Sequence, residues 1–213
     1  MTYSVKEMFL TLQGEGARAG RRAVFCRFSG CNLWTGLERD RTLAKCSFCD
    51  TDFVGTDGIG GGKFSRPNHL ADTIERIWVD RARYDISRYV VFTGGEPGLQ
   101  IDSSLVRMLQ KRGFECAVET NGTVDLPDEL DWITVSPKSV ENLRVKTGNE
   151  LKLVYPQEKI SPDEVGDLAF ENFFLQPLDS PRYDLNLQKA IRYCLTNPKW
   201  RLSLQTHKII GID

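Results

Sequence analysis

An incomplete βα barrel, α/β with about six parallel strands and fewer helices, is the fold class predicted by the 213-residue sequence. Apolar runs rich in β-branched residues recur along the chain, and amphipathic segments of helical length lie between several of them. Strands alternating with helices imply a parallel sheet joined by right-handed crossovers. The helices are too few for a closed eight-fold barrel, which asks for one after every strand. Polar and glycine-rich segments follow most of the strands, as in parallel folds whose sites form at the carboxyl ends.

Residues 5–10 read as a short extra strand leading into the turn Gln13-Gly14-Glu15-Gly16. Runs at 23–28, 89–92, 115–119, 132–135, 150–154, 172–175 and 201–205 read as buried strands. The spacing of Leu70, Ile74, Ile77 and Trp78 predicts a helix over 69–83. A second covers 103–112, with Leu105, Val106 and Leu109 on one side and Gly113 as its stop. A third spans 183–195, and a shorter one begins at Ser161, where Pro162 suits the first helical position. The stretch 55–62 reads as a flexible glycine-rich surface loop. With no repeat and no linker, the reading is one core domain over 1–213, with an insertion at about 32–45.

Composition narrows the function classes. Hydrophobic residues make up 40% and charged residues 27%, as expected of a globular chain rather than a disordered one. A formal net charge of −1 argues against a general nucleic-acid binder, although a local basic patch stays open. No apolar run approaches the roughly 20 residues that cross a bilayer. The first fourteen residues lack the basic-then-apolar pattern of a secretory signal, so the cytoplasm is the expected location.

Cys31, Cys46 and Cys49 crowd together, while Cys26, Cys116 and Cys194 fall in strand or helix interiors and read as small core residues. Clustered thiols in a reducing compartment point to metal or catalysis rather than disulfides. Three thiolates can hold three irons of a four-iron cubane, leaving the fourth open to a small molecule with an amine and a carboxylate. The alternative is zinc, which usually takes four ligands; no second cysteine pair and no nearby histidine completes such a set. Thr93-Gly94-Gly95-Glu96-Pro97 follows the 89–92 strand directly. Its glycines permit close approach of a ligand to the backbone, and Glu96 offers a carboxylate to a cationic amine. An ordinary strand-to-helix turn is the other reading.

Cys46-Ser47-Phe48-Cys49 resembles the C-x-aromatic-C half of the radical S-adenosylmethionine motif, with fourteen residues where the usual first spacing has three. Thr93–Pro97 is similar to that superfamily's GGE motif. Other strand-end segments take parallel meanings under the resemblance. Glu119 and Asn121 would hold ribose hydroxyls, Asn121-Gly122 otherwise being a plain turn. Ser136, Pro137 and Lys138 would meet the methionine carboxylate, Lys138 otherwise being a solvated lysine. Gln176, Pro177, Leu178 and Asp179 would close over the adenine.

Phe9–Gly16, Phe25–Trp34, the long insertion, Cys49–Phe53 and the terminal Gln205-Thr206-His207-Lys208 resemble the 7-carboxy-7-deazaguanine synthase family, one branch of which has the fourteen-residue spacing. That resemblance implies a [4Fe–4S] cluster on Cys31, Cys46 and Cys49, S-adenosylmethionine beside Phe48, magnesium on Thr51, and a homodimer. It also implies contraction of a carboxylated tetrahydropterin, with an electron donor such as flavodoxin and with neither nucleic acid nor membrane as partner. Leu12, Gln13, Gly14 and Glu15 would read the pterin's amide edge, Arg27 would pair with its carboxylate, and Thr93 would touch it. The terminal carboxylate of Asp213 would approach the site, and His207 has no assigned role. Without the resemblance, Thr51 reads as a turn cap and Arg27 as an alternating surface arginine. The rivals are a glycyl-radical activase with a protein partner and a non-catalytic metal-binding or electron-transfer protein.

Overall fold

The computed structural model describes residues 2–79 and 87–212. Two compact units emerge, one formed by Met1–Thr11, Arg22–Thr120 and Asp125–Trp132, the other by Leu12–Arg21, Asn121–Val124 and Ile133–Asp213. Each is α/β with a mostly parallel, open sheet, so the expected fold class is the one found.

In the first unit the strands are β1 (Tyr3–Leu12), β2 (Arg22–Phe28), β3 (Gly62–Phe64), β4 (Tyr89–Gly94) and β5 (Glu115–Thr120), in the order β3-β1-β2-β4-β5. The β2, β4 and β5 strands run parallel, with Cys26 opposite Phe92 and Phe92 opposite Val118. Helices α1 (Pro67–Val79) and α2 (Ser103–Gln110) bury Leu70, Ile74 and Trp78, and Leu105, Val106 and Leu109, the residues whose spacing predicts them. Asp102 caps α2 by accepting the Leu105 N–H at 2.9 Å. Cys116 packs under α2, so the alternate residues Arg27, Thr93 and Glu119 occupy the opposite face of the sheet.

In the second unit β6 (Trp132–Val135), β7 (Thr147–Tyr155), β8 (Ala169–Pro177) and β9 (Trp200–Leu202) lie side by side and parallel. Helices α3 (Pro162–Val165), α4 (Tyr183–Thr196) and α5 (Thr206–Ile210) complete it. A core of Leu151, Leu153, Phe173, Leu175, Ala190 and Trp200 fills the helical side. Ser161 caps α3, with Glu164 closing the capping box.

Several expectations change. The first strand is ten residues long rather than six. Residues 203–205 leave the last strand after Leu202, and Thr206–Ile210 is helical. Residues 80–83 of the first predicted helix, and Asp213, lie outside the described residues. The glycine-rich stretch is not a free loop. Gly58 N–H donates to the Lys6 carbonyl at 2.9 Å, Met8 N–H to the Ile59 carbonyl at 2.7 Å, and the segment ends in β3. A Cβ on Gly61 would fall 2.2 Å from the Lys6 carbonyl oxygen, so glycine is required because the segment lies flat on β1.

Candidate functional site

In the first unit the site begins where β2 ends. The Gly95 N–H donates to the Phe28 carbonyl at 3.1 Å and the Glu96 N–H to the Gly30 carbonyl at 2.9 Å. These bonds lay the segment after β4 against the segment that carries Cys31. The approach is close: a Cβ on Gly94 would sit 2.2 Å from the Phe28 oxygen, and Gly94 has φ +125°. A Cβ on Gly95 would sit 2.0 Å from the Gly30 oxygen and 3.0 Å from Cys31 Cβ. Side chains here would fill the cradle beside the thiol, the physical reason for two glycines in succession.

Glu96 is wholly buried. Its Oε1 accepts the Gly98 N–H at 2.8 Å and the Thr120 hydroxyl at 2.7 Å, which orients the carboxylate before any ligand arrives. Burial raises the Cys31 thiol above its ordinary value; the Leu33 and Trp34 N–H groups oppose this, and Glu96 and Cys49 add to it. The Cys31 thiol therefore stands within the fields of both the Glu96 carboxylate and Cys49. All three cysteines of the motif are free thiols, Cys46 buried and the other two half-buried. Among the described residues no three His, Cys, Asp or Glu side chains, the motif cysteines included, are gathered closely enough to hold a metal ion. Three thiols are the donor type and number that an iron–sulfur cubane with one open corner takes, and a side-chain-free cradle lies next to the first of them. Phe48 is half-buried within the C-x2-C turn.

On the sheet face away from the helices, Arg27 stands opposite Thr93 in register. Glu7 of β1 takes the Arg27 Nε at 2.8 Å, leaving the two terminal nitrogens without a partner among the described residues. A fork held at its base in this way presents two donors to a carboxylate. Phe9 and Phe25 stack beside them at 5.9 Å. Thr51 is half-buried between the cysteine turn and the buried Phe53.

The second unit gathers a different group. Glu15 receives the Lys152 ammonium on Oε2, and both the Gln176 and Gln205 amides at 3.0 Å on Oε1. Burial pushes the Glu15 carboxyl up, but Lys152, the Gln205 hydrogen bond and nearby His207 together hold it below the ordinary carboxylate value. Around this pair, Glu150 accepts the Ala17 N–H at 2.8 Å, and Ser203 accepts the Gly16 N–H at 3.0 Å while donating to Gln176 at 3.2 Å. The Thr206 N–H and hydroxyl both donate to the Gly14 carbonyl, at 3.0 and 2.7 Å. Gln13 is buried and its Oε1 accepts the Glu15 N–H at 3.1 Å; Leu12 is exposed.

Lys138 donates to Ser136 at 2.6 Å across the buried Pro137. Asn121 folds its Oδ1 onto the Thr123 N–H and hydroxyl at 2.9 and 2.6 Å, which builds the Asn–Gly turn with Gly122 at φ +77°. Pro177 ends β8, the Leu178 N–H donates to the Tyr155 carbonyl, and Asp179 pairs with Lys208 at 2.6 Å.

Sequence reasoning assigns Glu15 and Gln176 separate roles; the fold joins them. It misses Lys152, Glu150, Glu7 and Lys6, and it gives Gln205 no role at Glu15. Lys6 is buried and grips Val54, Asp57 and Asp52 at 2.9, 2.8 and 3.0 Å, pinning the segment that follows the cysteines to β1. The available signal is a charged residue inside an apolar strand, as at Lys6 in Tyr3–Leu12 and at Lys152 in Thr147–Tyr155.

Comparison with known proteins identifies the family. The Radical SAM superfamily matches residues 43–165. A 7-carboxy-7-deazaguanine synthase from Bordetella pertussis is 58% identical over 212 residues, and one from Bradyrhizobium diazoefficiens 59%, each covering 100% of both chains. The crystal structure of QueE from Escherichia coli superposes with a TM-score of 0.70 at 28% identity, covering 97% of this chain and 95% of that one. With likeness running from end to end, the chain belongs to the 7-carboxy-7-deazaguanine synthase family of radical S-adenosylmethionine enzymes.

Proposed function

We propose that this enzyme contracts 6-carboxy-5,6,7,8-tetrahydropterin to 7-carboxy-7-deazaguanine with release of ammonia, a step of queuosine and deazapurine biosynthesis. The observation that carries the reading is the full-length identity to synthases of that name. A [4Fe–4S] cluster and S-adenosylmethionine follow from the family, with Cys31, Cys46 and Cys49 as the ligands that would hold the cluster. When bound, the pair supplies a 5′-deoxyadenosyl radical at the substrate.

The chain's own residues bind, orient and exclude water. Gly94 and Gly95 admit the methionyl end, and the buried Glu96 carboxylate takes its amine. Glu119 and Asn121 hold the ribose, Ser136, Pro137 and Lys138 the methionyl carboxylate, and Gln176, Pro177, Leu178 and Asp179 the adenine, with Phe48 beside the cofactor. Arg27, braced by Glu7, offers its terminal nitrogens to the substrate carboxylate, next to Thr93 on the same face of the sheet. Leu12, Gln13, Gly14, Glu15 and the terminal Asp213 complete the substrate contacts. The Thr51 hydroxyl would be the protein ligand for Mg2+, a hard ion that takes oxygen donors and would supply positive charge beside the substrate. The whole chain works as one catalytic core, as a homodimer in the cytoplasm, with a flavodoxin-type electron donor. No helix among the described residues is long and apolar enough to cross a membrane.

The test is anaerobic reconstitution followed by turnover on the carboxylated tetrahydropterin, with product absorbance in the ultraviolet. Formation of the deazaguanine is expected. A chain that loads its cluster and responds spectroscopically to S-adenosylmethionine, yet makes no deazaguanine, would refute this substrate and favour an activase.

A further inference from the structure

The fourteen residues between Cys31 and Cys46 form a folded clasp. After the buried Trp34, residues Glu38–Leu43 make a short 3-10 helix, and the Lys45 N–H returns to the Leu33 carbonyl at 3.0 Å. Trp34 meets Phe53 edge-on at 5.6 Å, which ties the loop's start to the chain just beyond Cys49. Arg41 sits at the centre. Its Nη1 donates to the Ser47 carbonyl at 2.8 Å and to the Cys49 carbonyl at 3.0 Å. Its Nε and Nη2 fork onto the Glu38 carboxylate at 2.7 and 2.5 Å, and the guanidinium lies 4.1 Å from the centre of the Trp34 ring.

We propose that Arg41 is a positioning residue for the metal centre, holding the C-x2-C turn in its ligating shape and placing a fixed positive charge beside the cluster. The inference rests on the reading of Cys31, Cys46 and Cys49 as cluster ligands. A short loop between the first two cysteines would restrict the turn by its own length. A fourteen-residue excursion restricts it less, because closure entropy grows with loop length. The lost restraint is restored by a side chain that grips the turn from inside the insertion. Arginine is suited to this grip because one face stacks on Trp34, one edge takes the carboxylate, and the remaining nitrogen spans two carbonyls. A lysine ammonium cannot do this in a fixed plane. The charge has a second consequence. With Nη1 on the Ser47 and Cys49 carbonyls, the guanidinium stands beside the turn that carries the ligands. Charge and hydrogen bonding around the ligands are what set an iron–sulfur potential.

The experiment compares the anaerobically reconstituted full chain with Arg41→Ala, Arg41→Lys and Glu38→Gln. Iron and sulfide content, the rate of iron loss to excess chelator, and the midpoint potential followed by electron paramagnetic resonance are read for each. Arg41→Ala is expected to lose iron roughly tenfold faster and to titrate at a more negative potential. Arg41→Lys is expected to keep the potential while still losing iron faster, which separates charge from clasp. Glu38→Gln loosens the clasp from its exposed end and is expected to speed iron loss by a smaller factor; with the lysine variant it decides the matter if Arg41→Ala does not fold. Iron loss like that of the unaltered chain in every variant would overturn the clasp. An unshifted potential in the folded alanine variant would overturn the field. An unaltered chain that takes up no cluster would overturn the ligand assignment instead.

Discussion

Around Cys31 in the first unit, two short segments, one after β2 and one after β4, are laid together by backbone hydrogen bonds. Around Glu15 in the second, the partners come from β7, β8 and the loop after β9, and every grip on the carboxylate is a side chain. The first arrangement keeps its thiols partly accessible and asks little of the fold beyond two glycines and a capped carboxylate. The second buries an ion pair, with the Glu15 and Lys152 side chains 12% and 5% exposed, so removing one partner strands the other's charge. The thiol loop is thus expected to tolerate loss of a cysteine with its fold intact, whereas loss of a partner from the buried knot is expected to cost stability.

Three experiments test that contrast. The largest effect is expected from Cys46→Ala, which should abolish cluster uptake measured as iron and sulfide per chain, while the apo chain keeps its urea midpoint. A collapse of the apo midpoint would mean that the thiol loop is structural after all. Next comes Lys152→Met, which leaves the buried Glu15 carboxylate without its ammonium partner and should cost about 3–5 kcal/mol in denaturant unfolding. Adding Glu15→Gln to it should recover part of that loss, because the stranded charge is then gone. A single variant as stable as the parent would show the knot to be ornamental.

The smallest effect is in acid. Glu15 titrates below its ordinary value in the folded state, so it contributes stability that is present above the unfolded carboxyl pKa of about 4.3. That contribution declines as pH falls through the depressed folded value. Unfolding followed from pH 6 downward should therefore show an acid-side loss that shrinks in Glu15→Gln. An identical acid limb in both chains would remove Glu15 from the linkage.

The legible part of this molecule is the part written locally. The helices α1 and α2 are readable because Leu70, Ile74 and Trp78, and Leu105, Val106 and Leu109, repeat at helical spacing and are the residues that become buried. Gly94-Gly95-Glu96 is readable because it is contiguous and follows a strand, and the cysteine triad because all three thiols fall in the one segment after β2. The stretch 55–62 misleads because glycine there serves close packing against β1, which looks in sequence the same as flexibility. Lys6, Glu7 and Lys152 escape notice because a charged residue in a half-buried strand has two possible faces, and the period of two does not say which is covered.

By itself the sequence determined which chemistry is present and at which strand ends: three thiols on one loop, a glycine-flanked carboxylate after β4, and an arginine one position before the end of β2. Only the tertiary structure decided which charges share a burial site, that Glu7 braces Arg27, and that Lys152 and Gln176 converge on Glu15. Local patterns act between residues a few positions apart and so leave a spacing that can be read. Partners more than a hundred residues distant meet through strand register, to which no single segment is a guide.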